Sequence, residues 1–350
     1  MLSTTHSIHE IIKNEHLAGF LAQSSIPFFQ NCSILHFYDQ LPDLVTKVII
    51  CTQHQEIIGS CIFSYSRKKW PLKYLATKTQ IIYGPIFYKT STEHDCLLSI
   101  VAELEKQIPW YNLFIQFRNQ RDTSHLFSGF QSLGYKFSNR LNLITDIANQ
   151  QYMWENMSQN RRRQIKKSLA KGLVVVHKPN STQLFDFYKL LRSLYNHKVL
   201  KPLPGLAFFE RINQLATKGL IQGGIFICIY NQQVVGGIVA PMVSGNTIYE
   251  WYICGLDHEL KTEGIYPSVM ATWAAMEYGH KAGCHHFDFM GMGKPDEPYG
   301  VRDFKARFGG TWLNHGRWNK ITNLPLYALA ETLYNILYVA KKLKTAIKRT

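Results

Sequence analysis

The chain has 350 residues, 46% of them hydrophobic and 13% aromatic, which is enough to build two cores of ordinary domain size. A net charge of +15, from 39 basic and 24 acidic residues, favours anionic partners: nucleic acid, an anionic lipid surface or a phosphorylated substrate. Seven cysteines with no CxxC pair exclude a disulfide framework and point to reduced thiols.

The opening stretch, MLSTTHSIHEIIKNEHLAGF, is too polar and acidic for a signal peptide. No run approaches the ~18–20 apolar residues that span a bilayer. The chain is therefore expected in the cytoplasm. Val45 to Cys51 and Ile57 to Phe63 are apolar and β-branched, with His54 and Gln55 between them, and predict a hairpin. Tyr83-Gly84-Pro85 breaks the next strand. Leu97, Leu98, Val101, Leu104 and Ile108 keep a helical period over Asp95 to Gln107. Leu113 to Phe117 is a strand, a second helix closes at Gly134-Tyr135, and Leu141 to Ile147 is again a strand.

Ser158 to Gly172 follows, with Ser158 as N-cap and Gly172 just past the C-terminus. Its cations are Arg161, Arg162, Arg163, Lys166, Lys167 and Lys171, without one acid. Such density is self-repelling, and phosphates would relieve it; a solvated helix face is the other reading. Val174 to Val176 is a strand. A helix from Ser181 to about His197 carries Arg192 and Tyr195 near its end. The hairpin then recurs: with Gly59 placed on Gly236, Ile50-Cys51 falls on Ile227-Cys228, Gln55 on Gln232 and Ile57-Ile58 on Val234-Val235. The helix and strand of 95–117 recur at 267–289. Two copies of one mixed α/β plan in tandem are expected.

The second copy holds the stretch on which function turns, CHHFDFMGMGKPDEPYGVRDFKARFGGTW, from Cys284 to Trp312. A strand through Phe287, Asp288 and Phe289 leads into a glycine- and proline-rich loop and then into Arg302, Phe304 and Lys305. Sites are commonly built on loops delivered by rigid elements. Its FDFMGMG and YGVRDFKARFGG resemble the strand, loop and FK..fGG signature of the Fem-type family, the non-ribosomal aminoacyltransferases that build peptidoglycan cross-bridges. The basic helix from Asn160 to Ser168 and the aromatic strand Ile248-Tyr249-Glu250-Trp251-Tyr252 are similar to that family as well.

The resemblance implies a mixed α/β fold of two tandem GNAT-like acyltransferase domains, each a mixed sheet flanked by helices. Boundaries are expected at 1–150 and 151–322, the second including the linking helix 158–171. It implies a transferase that moves an activated acyl group to an amine of a peptidoglycan or other cell-envelope precursor, nucleotide- or lipid-linked. Lys305 is expected as the exposed, charged stabiliser of the oxyanion or of a substrate phosphate. Asp288 orients Lys305, takes part in proton transfer, or caps backbone. Tyr252 supplies a hydroxyl. Arg192, Tyr195, Trp251, Arg302, Phe304, Arg161, Arg162 and Arg163 are the substrate-binding candidates.

No tightly bound cofactor is expected. Coenzyme A needs a glycine-rich turn at a helix N-terminus. Lys261-Thr-Glu-Gly264-Ile-Tyr266 offers one glycine, an acid and a bulky ring, so an aminoacyl-tRNA donor fits the charge better. An acyl-CoA-dependent N- or O-acyltransferase of an envelope sugar or lipid and a non-catalytic nucleic-acid-binding protein are the alternatives. Cys284-His285-His286 is set aside as a metal site, because adjacent strand residues point to opposite faces. The tail, 323–350, has Leu326, Leu329, Leu333, Ile336, Leu337 and Ala340 in helical period before Lys341, Lys342, Lys344, Lys348 and Arg349. It is a basic amphipathic helix that lies on the inner membrane surface or docks on the domain.

Overall fold

The computed structural model describes residues 1–67, 71 and 73–347. Two compact units emerge: Met1–Arg140 with Asn314–Thr350, and Leu141–Leu313. The first opens with β1 (Leu2–Ser7), β2 (Leu44–Gln53), β3 (Glu56–Ser66), β4 (Thr79–Ile82), β5 (Ile86–Phe87), β6 (Phe114–Arg118) and β7 (Lys136–Ser138). The second holds β8 (Asn142–Asp146), β9 (Val174–His177), β10 (Gln222–Tyr230), β11 (Gln233–Met242), β12 (Thr247–Tyr249), β13 (Tyr252–Gly255), β14 (His286–Asp288) and β15 (Thr311–Leu313). The chain then returns to the first unit with β16 (Arg317–Ile321). Sheet orders are β1-β2-β3-β4-β6-β16-β7 with β5 on β3, and β15-β8-β14-β12-β11-β10-β9 with β13 on β11.

The tandem repeat holds in detail. Cys51 pairs with Gly59 and Thr52 with Ile57, so one residue of β3 bulges out. Cys228 pairs with Gly236 and Ile229 with Val234, the same bulge at the same place. Both turns need two residues at positive φ, and His54 and Gln55 (49° and 66°) match Asn231 and Gln232 (47° and 61°). Each unit then has one parallel pair across a helix: β4 with β6 across Glu93–Gln107, and β12 with β14 across Pro267–Lys281. The aligned glycines have one physical reason. A Cβ on Gly59 would meet Cys96 Sγ at 2.4 Å and Ile86 O at 3.1 Å; on Gly236 it would meet Cys254 O and Pro267 Cβ, both at 2.8 Å. In each unit the glycine lets the short outer strand and the following helix close on the hairpin.

The boundaries expected at 150 and 322 fall elsewhere. β8 pairs antiparallel with β14, Thr145 opposite Phe287, and so belongs to the second sheet. β16 pairs antiparallel with β6, Trp318 opposite Phe117, and so belongs to the first. Trp318 is fully buried there and stacks on Phe130 at 4.7 Å. The second sheet is thus built from one continuous stretch, and the first is completed by a strand from beyond it in sequence.

The linking helix runs Gln159–Ala170, and Ser158 caps it by accepting from Arg161 N at 3.3 Å. The tail helix runs Leu324–Ile347; Tyr327 meets Phe114 edge-on at its base, and residues 331–339 are exposed. Of its expected cations, Lys348 and Arg349 lie outside the described residues. Among the described residues no helix is long and apolar enough to cross a membrane.

Candidate active site

β12 and β13 are one strand interrupted at Glu250 and Trp251. β12 pairs with β14 over Thr247–Tyr249, and the last bond on that side is Glu250 N–H to Asp288 O at 2.9 Å. From Tyr252 onward β13 pairs with β11 alone, so β13 and β14 part company at Glu250. The ladder opens there, with the Glu250 and Asp288 backbone groups at its apex.

The apex is charged. Glu250 is 3% exposed and Lys305 is 6% exposed. Lys305 Nζ lies 3.1 Å from Glu250 Oε1, donates to Gly291 O at 3.1 Å, and donates to Phe289 O. Thr272 Oγ1 donates to the other carboxylate oxygen at 3.3 Å. Burial raises the Glu250 carboxyl above its ordinary range, opposed by the charge of Lys305. An ammonium has three N–H donors, and three acceptors surround this one. The exposed loop lysine expected from the flanking glycines is therefore a buried helical one, on the short helix Gly300–Ala306, donating to two backbone carbonyls and ion-paired with Glu250.

Asp288 is fully buried; its Oδ1 accepts from Met290 N at 2.7 Å and Asn142 Nδ2 at 2.8 Å. It caps the backbone where Met290 takes φ +60° and the loop begins. Arg302 wraps that loop, donating to Met292 O, Pro295 O, Glu297 O and Lys294 O. Arg161 is 5% exposed, lies 4.4 Å over the Phe304 ring and donates to Phe304 O at 2.9 Å. Burial, with Arg307 nearby, lowers its pKa to about 10. Arg302, Phe304 and Arg161 thus hold the loop and the Lys305 helix in shape. Arg162 donates to Glu155 O at 3.1 Å, and Arg163 is exposed beside Asn160.

An aromatic group borders β13. Tyr252 lies 6.2 Å from Tyr195, 5.8 Å from Phe208 and 5.8 Å from Trp251, ring to ring, and all four are half-buried. Tyr195 begins a π turn, Tyr195–Val199, that ends the helix Ser181–Leu194. Its pKa is pushed up to about 12 by burial, with Tyr299 contributing. Arg192 is exposed one turn earlier. The structure thus brings Tyr195, Trp251 and Tyr252 together, and Lys305 with Glu250.

Two acids went unnoticed in the sequence. Glu250 had a signal, an acid inside the run Ile248-Tyr249-Glu250-Trp251-Tyr252. Asp257 had none. It is half-buried, and its carboxylate accepts from Ser268 N at 3.2 and 3.3 Å. Ser268 is the second residue of the helix Pro267–Lys281, so Asp257 fills the helix N-terminus where an anionic ligand group would bind. Burial raises its carboxyl, against the hydrogen bonds from Ser268 and the charge of Arg161.

The first unit has a matching opening between β5 and β6, which holds a cavity of about 50 Å³ lined by Tyr83, Gly84, Phe87, Arg121 and Phe130 among others. Ligand pockets run to ~300–1,000 Å³. A larger open groove of about 610 Å³, between His16, Phe20, His54 and Tyr88, also lies in the first unit; Lys89 and Glu56 on its wall pair with each other at 2.5 Å.

Residues 155–305 match the model of the Acetyltransferase (GNAT) domain family. The crystal structure of FemX superposes with a TM-score of 0.68 at 14% identity, covering 94% of this chain and 99% of that one. A tandem GNAT protein from the clavulanic acid biosynthesis pathway gives 0.55 at 7% identity, over 92% and 98%. The C-terminal domain of a putative lysylphosphatidylglycerol synthetase from Agrobacterium fabrum gives 0.54 at 11%, over 95% and 97%. No curated protein sequence matches. At these identities the likeness is one of fold. The chain has the two-unit, GNAT-like fold of the Fem type, and its second unit carries an acyltransferase domain of the GNAT kind.

Proposed function

We propose that the chain transfers an aminoacyl group, held as an ester on tRNA, to an amine of a peptidoglycan or other cell-envelope precursor. The observation that carries the choice of donor is Asp257. A coenzyme A pyrophosphate would need the backbone N–H groups at the start of the helix Pro267–Lys281, and a carboxylate of the chain itself accepts from Ser268 N there. A charge-held polyanion needs no such turn, and the exposed Arg163, Lys166, Lys167 and Lys171 on or beside the linking helix suit one.

In this reading the amine nitrogen attacks the ester carbonyl, the C–N bond forms and the C–O bond to the ribose breaks. The proton lost by the amine ends on the ribose oxygen. Tyr252 donates to the oxyanion from the edge of the cleft. Lys305 is a positioning residue: with Glu250 it fixes the apex where β13 leaves β14, and it holds the carbonyls of Phe289 and Gly291. Arg192, Tyr195 and Trp251 receive the acceptor, Arg192 at its phosphates. Donor and acceptor of this kind meet in the cytoplasm or at the inner membrane surface.

A second reading, an acyl-CoA-dependent transferase, draws on the family match over 155–305. Purified protein incubated with charged tRNAs, acyl-CoAs and nucleotide- and lipid-linked precursors decides between them. The expected result is acceptor-dependent loss of aminoacyl ester from tRNA. Consumption of acyl-CoA instead overturns the proposal, and tRNA binding with no donor consumed leaves a binding protein.

A further inference from the structure

We propose that the tail helix lies flat in the surface of an anionic lipid bilayer. Leu329, Leu333 and Ile336 follow one another along a single stripe, with Leu337 beside them. Leu329 is 51% exposed, Ile336 60% and Leu337 65%. The base of the helix is fixed in the first unit: Tyr327 packs on Phe114, Asn323 Nδ2 donates to Trp110 O at 3.2 Å, and the helix packs against Lys73–Ala76. Beyond that base, residues 331–339 leave the domain surface. A row of large aliphatic side chains standing in water is costly.

Charge selects the occupant. From 324 to 350 the only acid is Glu331, against Lys341, Lys342, Lys344, Lys348 and Arg349. Two such tails would repel each other as they paired, whereas an anionic surface attracts one. The helix spans roughly 36 Å at 1.5 Å per residue, yet it is not apolar enough to cross a membrane, so it lies along the interface. Trp110, beside its base, is 72% exposed with Tyr74 and Tyr111 around it, an aromatic group suited to the headgroup level. The inference is independent of the acyl-transfer reading.

The test is flotation of the full chain with vesicles of phosphatidylglycerol and phosphatidylcholine, and with phosphatidylcholine alone. Binding is expected to the anionic vesicles, at least tenfold tighter than to the neutral ones. Leu333→Ser with Leu337→Ser should lower it at least tenfold with an unchanged melting temperature. Replacing Lys341, Lys342 and Lys344 with Gln should lower it by roughly a factor of five per lysine. Three results overturn the proposal: no binding to anionic vesicles, a serine variant that binds as before, or a serine variant that melts early because the stripe packs on protein. A concentration-dependent dimer that the serine substitutions abolish, with no vesicle binding, assigns the stripe to a second copy.

Discussion

The two units open their sheets at the same place and fill the openings differently. In the first, the ladder between β3 and β4 stops at Ser64 and resumes with β5 at Ser60. Ile62 lies in the gap, and the buried amide of Gln30 serves it: Nε2 donates to Ile62 O at 3.0 Å and Ile82 O at 2.9 Å, and Oε1 accepts from Ile62 N at 2.7 Å. In the second, the break carries Glu250 turned onto Lys305. A neutral amide that replaces missing ladder bonds is a structural repair. A buried ion pair costs several kcal/mol per ion in desolvation, so its retention calls for a use. The helix starts differ as well. Glu93, in the first turn of the first unit's helix, is held by Arg121 at 3.2 Å and His125 at 2.5 Å, while Asp257 reaches Ser268 from outside its helix. Repetition preserved the geometry in both units, and the family match falls on the unit with the charged apex.

Lys305→Ala breaks the comparison hardest. It leaves Glu250 buried without its cation, and removing one partner of such a pair costs about 3–5 kcal/mol. Denaturant unfolding should show that loss, contrary to what an exposed loop lysine would give. Lys305→Met with Glu250→Gln should recover most of the stability while turnover stays low; recovered turnover would leave the pair with no role in the cleft. Lys305→Met alone adds a pH dependence. The buried carboxyl keeps its proton above the unfolded value near 4.5. Its contribution is therefore complete below that value and lost as pH rises through the folded pKa. Stability of this variant should fall from acid toward neutral pH more steeply than that of the unmodified chain.

Gln30→Ala is the matching change in the first unit. It strands buried backbone groups at about 1–3 kcal/mol each. Turnover per folded molecule should not change, and a direct loss of turnover would place chemistry in the first unit too.

The fold was legible where its signals are local. Apolar, β-branched runs and the paired glycines located both hairpins, because the same bulge and turn need the same residue types at the same spacing. The boundaries were not legible. Leu141 to Ile147 read as a strand and Arg317 to Ile321 was not singled out, and which sheet a strand joins is decided by distant partners. In the site, the FK..FGG resemblance found Lys305 and missed its surroundings. Glycines on either side suggested an open loop, while Phe304 and Phe308 signal a buried helical face over Arg161. Asp257 was invisible because the group it caps lies eleven residues on.

A smaller effect sharpens the contrast at the helix starts. Asp257→Ala removes a helix cap, worth about 1 kcal/mol, and frees the Ser268 N–H. Pyrophosphate or coenzyme A should then raise the melting temperature of the variant more than that of the unmodified chain. Equal shifts would show that Asp257 does not occupy the anion position.

The smallest effect on stability concerns the linking helix of the second unit, where neighbouring cations have opposite surroundings. Arg161 is enclosed by Phe304 and Phe308 and donates to Phe304 O, whereas Arg163, Lys167 and Lys171 are exposed. Replacing the exposed three with Gln should change stability by no more than ~0.5 kcal/mol, as surface substitutions usually do. If they meet tRNA phosphates, the variant releases fewer counterions on binding. The slope of log affinity against log salt should then flatten by about 0.7–0.9 for each lost contact. Arg161→Gln should do the reverse, lowering the melting temperature by removing a buried hydrogen bond and ring contacts while leaving the slope of the folded fraction in place. A binding isotherm series from low to moderate salt, read beside melting temperature, separates the two. An unchanged slope in the triple variant would make this a solvated face, and the donor would have to be held elsewhere in the second unit.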